Sequence, residues 1–417
     1  PLRAHPLFYL GVILFAVGAL TVVGHFFAII TVARKEKAYE GSLPLVTYGA
    51  LTAAAIAAVT LLHGAIIYIP TFLWSLDMMN VDPQMYRLIW WGLGHSSQQI
   101  NVAAMVSIWY LLGALTVGAV VLNEKVSRTA FVLYVLFISM ASAHHLLVDP
   151  GMGPSWKVWN TSYFMYMAVL ATMIHGFTVP AGTELGMRLR GATQGLFGWL
   201  KRAPWGDPGF SSLAFSIVVF GFVGGITGVT FGTEQINIIA HNTLRIPGHF
   251  HATVVSGTAM AFMGITYYVI PLIFRREIAF YRLAKIQPYL FAVGMLIFSM
   301  AMTFAGTVNL IIGVMAVGGL IAIVGGALYI VVTVVSVFFG KRMAADDSGL
   351  GATGRGLPPG ITSPPRALKP EDKEALKPSG RLGPVPGTMV LVLIFLAAFI
   401  TYYFVNWKLL SFLWEVG

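Results

Sequence analysis

The chain contains no cysteine, and charged side chains make up only 10% of its 417 residues. Without thiolates it cannot hold an iron–sulfur cluster or a cysteine-ligated zinc, and disulfide bonds cannot stabilise it. Any metal must therefore use histidine or oxygen ligands. Apolar residues make up 57% of the sequence and form runs of about 20 or more. This composition excludes a soluble globular protein. It predicts an all-α, polytopic membrane helix bundle whose partner is membrane lipid and not nucleic acid.

The apolar runs predict ten membrane spans. They lie at roughly residues 6–33, 45–73, 88–122, 129–147, 159–183, 210–232, 246–273, 288–308, 310–339 and 387–407. Alternate loops carry very different numbers of basic residues, because 21 of the 26 Lys and Arg fall in one set. That set comprises 34–43, 123–128, 184–209, 274–287 and 340–386. These loops are predicted to be cytoplasmic, since cytoplasmic loops carry the excess of positive charge.

The charge and hydropathy pattern divides the chain into three parts. Residues 1–339 form a transmembrane core, 340–386 a flexible cytoplasmic linker rich in Pro, Gly and charge, and 387–417 a last span and tail. Between 288 and 339 the only turn candidate is AGTVN, residues 305–309. We expect an external loop to be missing there; a tight buried turn is the alternative. The sequence starts at Pro1, so a fragment or a processed chain is also expected.

Ionisable side chains within a bilayer are costly, so each one in a span is a candidate functional residue. Five histidines on three spans fall at one depth, near the predicted outer side: His95, His144, His145, His249 and His251. A single histidine in a helix is more often a hydrogen-bonded core residue than a ligand. Five at one depth favour metal ligation, and neutral imidazole suits copper, non-heme iron or heme iron.

The spacing of these histidines predicts which of them can share a metal. Residues two apart in an α-helix point about 200° apart, so His249 and His251 face opposite sides of one span. Adjacent residues point about 100° apart, so His144 and His145 can both reach one metal from a distorted turn. His63, on the second span, is either a further polar group near the metal or a histidine bonded to a carbonyl or water.

Three motifs carry a resemblance to a known family. In order and spacing, GHSSQQ (94–99), SAHHLLVDPG (142–151) and HNTLRIPGHFH (241–251) resemble subunit I of the heme-copper oxidase superfamily, and its B-type branch in particular. The resemblance implies a core of about twelve to thirteen spans in a bacterial or archaeal inner membrane. It also implies ligands. His95, His144 and His145 would bind the non-heme metal, usually copper B; His249 the high-spin heme; His251 the low-spin heme; and His241 and Asn242 would lie near the heme propionates.

Gln99 departs from the family pattern. Oxygen reductases of the B-type branch have a tyrosine four residues after the first metal-ligand histidine, covalently linked to a ligand histidine, and it supplies an electron and a proton. A glutamine cannot do this, whereas reduction of two NO to N2O needs only two electrons and two protons. The resemblance therefore favours a divergent nitric oxide reductase. The alternatives are an oxygen reductase with an altered site and a heme-bearing transporter or gas sensor, although the latter needs no second metal.

Cofactors and partners follow from the same comparison. Because no Asp or Glu lies well inside a span, copper is favoured over a glutamate-ligated non-heme iron. Family members have further spans before the point that matches Pro1, and one of them supplies the second ligand of the low-spin heme. We expect that ligand from a missing N-terminal segment or another chain. An outward-facing subunit with copper A or heme c is the expected electron donor, and a quinol is the alternative.

A polar stripe on two spans predicts a proton path. Thr172, His175 and Thr178 follow at intervals of three residues on the fifth span, where they lie on one helical side. Tyr110, on the third span, matches a tyrosine of the single proton channel of the B-type branch. The stripe predicts conduction from the cytoplasmic side. Hydroxyls that bond their own helix carbonyls are the alternative.

Overall fold

A computed structural model of the chain describes residues 3–138, 142–305, 311–359, 361, 366–375 and 385–412. The helices are α1 Pro6–Lys35, α2 Leu45–Ser75, α3 Pro83–Val117, α4 Glu124–Leu133, α5 Pro154–Leu189, α6 Gly198–Lys201, α7 Pro208–Phe231, α8 Glu234–Ala240, α9 Arg245–Phe274, α10 Tyr281–Ala305, α11 Ile312–Phe339, α12 Pro370–Ala375 and α13 Pro386–Ser411. The strands are β1 Val120–Val121 and β2 Arg366–Ala367.

Several helices contain wider or tighter turns. The π-helical segments are Tyr134–Ile138 after α4, Trp159–Met165 in α5, Phe220–Gly225 in α7, and His251–Ala259 and Ile270–Phe274 in α9. A 3-10 turn covers Ser142–Leu146. Such departures from α-helix often mark functional sites. The 3-10 turn contains His144 and His145, and one π segment begins at His251.

The helices confirm the prediction of an all-α, multi-pass membrane protein. In the described part of the chain, nine helices are long and apolar enough to cross a bilayer: α1, α2, α3, α5, α7, α9, α10, α11 and α13. The predicted span 129–147 corresponds to the second half of α4, its π continuation and the 3-10 turn, but residues 139–141 lie outside the described residues. The count of ten spans therefore stays a prediction.

The chain forms two compact units. The first comprises Pro1–Ser107 and Arg128–Thr172. In it α1 packs along α2, and the ring of Phe131 fits against Gly49, where a Cβ would lie 2.6 Å from the ring. Arg87 and Asp149 form an ion pair with two hydrogen bonds. This pair ties the start of α3 to the segment that follows the 3-10 turn.

The second unit comprises Ile108–Ser127 and Met173–Gly417, and its tightest contact is the antiparallel pair α10 and α11. Glycines allow the two backbones to touch: a Cβ at Gly318 would lie 2.6 Å from the Phe298 nitrogen, and one at Gly325 would lie 2.6 Å from the Phe291 nitrogen. Small residues permit such close approach between membrane helices. Residues 306–310, which hold most of the predicted turn, lie outside the described residues.

The segment 340–386 contacts loops that the charge pattern assigns to the cytoplasmic side. Arg342 bridges Arg276 in antiparallel fashion, and Arg355 donates to Glu277 at 2.9 Å. β2 pairs in parallel with β1, which lies at the end of the predicted span 88–122. These contacts agree with one common side for the segment and those loops. The flexibility of the segment stays a prediction.

Two carboxylates, Asp207 and Glu184, cap helices of the second unit. Asp207 accepts hydrogen bonds from the backbone nitrogens of Gly209 and Phe210 at the start of α7. Glu184 is fully buried and accepts from Arg188 at 2.7 Å and from the first nitrogens of α13. Unbonded N–H groups at a helix start carry partial positive charge, so a carboxylate stabilises them. Glu184 thus connects the C-terminal end of α5 to the start of α13.

We expect Gly318→Leu to destabilise the α10–α11 pair, because the added side chain meets the backbone of α10. Overpacking of this kind costs about 1–3 kcal/mol. The matched control is Gly313→Leu on the same helix, where a Cβ meets nothing within 4 Å. Thermal unfolding of the purified complex in detergent would measure the difference; equal melting temperatures for the two variants would contradict the packing argument.

Candidate functional site

Three histidines of the first unit lie together. α3 carries His95, and the 3-10 turn carries His144 and His145. One ring nitrogen of each lies within 4.8 Å of the others, and Nδ1 of His95 is 2.9 Å from Nε2 of His145. Adjacent residues in a 3-10 helix point about 120° apart, yet both rings of the pair reach His95. Three imidazoles without a thiolate or carboxylate form a donor set that fits copper or a comparable borderline metal.

Aromatic packing holds this cluster in position. The ring of Trp91, one turn before His95, stacks on His145 with centroids 4.0 Å apart and planes 6° from parallel. Trp90 folds over Gly94, where a Cβ would collide with its ring. His63 packs instead on Gly92, with a Cβ-to-ring distance of 3.2 Å, and it is not a member of the cluster. Its Nδ1 is buried and has no hydrogen-bond partner among the described residues.

Gln99 contacts the second nitrogen of His95. Its amide nitrogen lies 2.9 Å from Nε2 of that ring, one helical turn further along α3. His95 therefore directs Nδ1 towards the cluster and Nε2 towards the amide. An amide group offers either a donor or an acceptor, so Gln99 can serve whichever tautomer His95 adopts.

His249, in the second unit, is held against α7. Its Nδ1 lies 2.9 Å from the carbonyl of Gly224 and 3.0 Å from the hydroxyl of Thr227. On the other edge of the ring Gly228 is directly adjacent, because a Cβ there would lie 2.7 Å from Cε1. Any side chain at Gly228 would therefore displace the imidazole. Since Gly224 belongs to a π-helical segment, a local departure from α-helix accompanies this contact.

His251 points to a different neighbour. Its Nδ1 lies 2.7 Å from the Pro247 carbonyl, and the edge of its ring meets Phe298 of α10 with centroids 5.1 Å apart. The opposed faces predicted from the two-residue spacing are therefore present, one towards α7 and the other towards α10.

Both histidines of α9 have the hydrogen-bonding pattern of metal ligands. A carbonyl accepts but cannot donate, so Nδ1 of each ring must carry the proton, and Nε2 then keeps its lone pair. Metal-ligating histidines commonly donate their other nitrogen to a backbone carbonyl in this way. The pattern fits axial ligation of heme iron, which remains a proposal for both residues.

His241 and Asn242 form the turn between α8 and α9. His241 is half-buried, and Asn242 is exposed with a φ of +61°. Asparagine tolerates this left-handed conformation better than most residues do. The expected proximity of these residues to heme propionates stays a prediction.

The Tyr110 hydroxyl, on α3, bonds side chains of α4 and α5 within the second unit. It donates to Ser127 at 3.0 Å, shares a hydrogen bond of 2.7 Å with Thr178, and lies 3.0 Å from Nδ1 of His175. All four residues are buried. A cavity with room for about one water molecule borders Tyr110 and Thr178 and extends to β1. The predicted path residues Tyr110, His175 and Thr178 are thus connected.

Two members of this network differ from the sequence analysis. Ser127 was missed; its hydroxyl donates to the carbonyl of Asn123, an exposed residue in a loop predicted to be cytoplasmic. No sequence signal marks this serine. Thr172, by contrast, belongs to the first unit, where it accepts from Tyr134 at 3.0 Å and bonds the Ala168 carbonyl of its own helix. Its place in the path stays a prediction.

The fold and these residues define a multi-pass membrane protein whose clustered His95, His144 and His145 could hold one metal ion. The chain belongs to the family of cytochrome c and quinol oxidase polypeptide I, whose model matches residues 1–339. This is the heme-copper oxidase subunit I family, and membership implies hemes and a further metal centre. The site's specific ligands remain proposals.

Individual relatives are consistent with the family. Cytochrome c oxidase subunit 1 of Thermus thermophilus is 31% identical over 317 residues, which cover 74% of this chain and 55% of the relative. The chain thus spans about half the length of that relative. Ubiquinol oxidase subunit 1 of Acetobacter aceti is 28% identical over 125 residues, or 27% of this chain and 19% of the relative. A solved heme-copper terminal oxidase dimer shares the fold, with a TM-score of 0.76 and 24% identity over 85% of this chain and 68% of the other.

We expect His145→Ala to remove most of the non-heme metal from the purified complex while leaving its heme content unchanged, because two imidazoles hold a copper or iron ion far less tightly than three. Metal analysis by mass spectrometry, normalised to heme, would measure this. His63→Ala is the control, since His63 lies outside the cluster. The assignment is wrong if both variants retain a full complement of metal.

Proposed function

We propose that this chain is the catalytic subunit of a membrane nitric oxide reductase that converts two NO to N2O. The proposed ligands are His95, His144 and His145 for copper B or a non-heme iron, His249 for a high-spin heme, and His251 for a low-spin heme. Family membership supports the presence of hemes and a second metal. The observation that supports NO as the substrate is the contact of Gln99 with His95.

The electron balance of the reaction explains why Gln99 matters. Two NO, two electrons and two protons give one N2O and one water. When bound, the heme and the second metal would supply the two electrons and the positions where NO binds. No side chain then has to be oxidised. An amide can orient His95 by a hydrogen bond, but it has no phenolic electron and proton to give. The site is therefore suited to the two-electron reaction.

The donor set favours copper over iron as the second metal. The cluster consists of histidines alone, and among the described residues no carboxylate is grouped with it. Iron sites in proteins commonly add carboxylate oxygen to imidazole, whereas copper is satisfied by nitrogen ligands. The ring of Trp91 stacks on His145 and places an apolar surface against one of the proposed ligands.

Protons would reach the site through the Tyr110 network. Ser127 lies between the exposed Asn123 and the Tyr110 hydroxyl, so a proton can pass by successive hydroxyl rotations from the predicted cytoplasmic loop. Beyond Tyr110, the hydroxyl of Thr178 and Nδ1 of His175 continue the chain of polar atoms. Uptake from this side, with electrons from the other, would make NO reduction charge-separating.

Oxygen reduction is the second candidate function. It is favoured by the names of the relatives, among them cytochrome c oxidase subunit 1 and ubiquinol oxidase subunit 1. That reaction needs four electrons, so another residue would have to supply what the tyrosine supplies in oxygen reductases. Tyr110 is buried within its own network of three side chains, fifteen residues beyond His95 along α3.

The proposal requires partners outside this chain. A subunit with copper A or heme c on the outer side would donate electrons, because the chain has no cysteine for either group. A second axial ligand for the low-spin heme would come from an N-terminal segment or another chain. The proposed location is the inner membrane of a bacterium or archaeon.

The decisive measurement is NO consumption with N2O detection by the reduced complex, made without oxygen, beside oxygen uptake with the same electron donor. We expect rapid N2O formation and slow oxygen uptake, because Gln99 cannot replace a redox-active tyrosine. Rapid oxygen uptake with little N2O would overturn the NO proposal and establish the second candidate.

We expect Thr178→Val and Ser127→Ala each to slow turnover about tenfold or more, since each removes a hydroxyl bonded to Tyr110. Heme spectra and metal content should stay unchanged. The controls are Thr183→Val, whose hydroxyl bonds the Val179 carbonyl of its own helix, and Ser212→Ala, whose buried hydroxyl has no partner among the described residues. If Thr178→Val is slow and Ser127→Ala is not, protons enter elsewhere; wild-type rates in both would refute the path.

A further inference from the structure

Arg245 is a buried cation at the start of α9. Only 6% of its surface is exposed, although a guanidinium stays charged under all physiological conditions. Burying a charge costs several kcal/mol unless an opposite charge or a full set of hydrogen bonds compensates. In membrane proteins such residues commonly serve a functional site.

The described residues do not neutralise this charge. The only side-chain bond that Arg245 makes among them runs from Nη1 to Oδ1 of Asn406, at 3.2 Å. The amide nitrogen of Asn406 is itself bonded to the Tyr402 carbonyl at 2.9 Å, which keeps the oxygen turned towards the arginine. One neutral acceptor occupies one of five N–H donors. The remaining N–H donors and the positive charge are therefore suited to binding an anion.

The position of Arg245 on α9 indicates the kind of anion that it binds. Arg245 and His249 are four residues apart on α9, so they lie on one face, about 6 Å apart along the helix axis. His249 is anchored to Gly224 and Thr227 of α7, and α7 also contacts α13, which carries Asn406. A group ligated by His249 that carries a carboxylate at its edge would therefore bring that carboxylate to the end of the helix where Arg245 lies.

We propose that Arg245 binds a propionate carboxylate of the heme whose iron His249 ligates. The inference rests on the proposed role of His249 as a heme ligand. A guanidinium binds a carboxylate through two parallel hydrogen bonds, and the hydrogen bond to Asn406 orients the guanidinium. A cation at this position favours the reduced heme, because reduction adds a negative charge to the group. Arg245 is therefore a positioning residue that also raises the heme's reduction potential.

The test compares Arg245→Gln with Arg275→Gln in the purified complex. Arg275 follows the opposite end of α9 and bonds carbonyls of the segment 340–386, so its replacement removes one positive charge far from the proposed heme. Spectroelectrochemical titration of the high-spin heme is the readout. We expect Arg245→Gln to shift the one-electron reduction equilibrium about tenfold towards the oxidised form, a potential about 59 mV lower, and Arg275→Gln to leave it unchanged. Arg245→Lys keeps the positive charge and should therefore have a potential close to that of the wild type.

A second variant keeps the test decisive if Arg245→Gln does not assemble. Asn406→Asp leaves the arginine in place but adds a carboxylate beside it, so it should lower the same potential. Equal potentials in Arg245→Gln and Arg275→Gln would overturn the proposal; if anionic phospholipid is also lost from the Arg245 variant alone, the guanidinium binds a lipid phosphate instead. Failure of the proposed function is visible separately, as a wild-type complex without a high-spin heme spectrum or without N2O formation.

Discussion

A polar group buried in a membrane must find its hydrogen-bond partner inside the protein, and this requirement fixes the orientation of the histidines in this chain. Carbonyl oxygens hold one nitrogen of His249 and one of His251, while the Gln99 amide holds one nitrogen of His95. Each bond leaves the opposite nitrogen directed away from its anchor. The nitrogen that faces away from each anchor is the one that the proposed metal or heme would bind.

The same requirement explains where the carboxylates lie. Glu184 is buried and Asp207 half-buried, and each accepts from the backbone nitrogens at the start of a helix, which carry partial positive charge. They stabilise the ends of spans and leave the described histidine cluster free of carboxylate. Arg245 is the exception, since a single neutral amide is its side-chain partner among the described residues. Arg245 thus differs from the two carboxylates, whose charges are matched by helix nitrogens. This difference supports the proposal that Arg245 binds a heme propionate.

The sequence was sufficient for features that depend on local spacing. Apolar runs predict the long helices, and the two-residue interval predicts the opposed faces of His249 and His251. It was not sufficient for contacts between distant segments: the bond between Ser127 and Tyr110, the pairing of β2 with β1, and the burial of Arg245 against α13. A hydroxyl in a basic loop and an arginine at the end of a span look like ordinary surface residues until the chain is folded. Thr172 is the opposite case. The polar stripe predicted that it belongs to the proton path with His175 and Thr178, and its hydroxyl is bonded to Tyr134.

Gln99 is an uncharged polar group that meets the same hydrogen-bonding requirement at His95. Its amide does not ionise, and its oxygen and nitrogen can serve either tautomer of the ring. A tyrosine at the same position would add a group that can lose both a proton and an electron. Glutamine retains the support of His95 and removes that redox function. In the proposed reduction of two NO, both electrons would then come from the metal and the heme, and this side chain would not be oxidised.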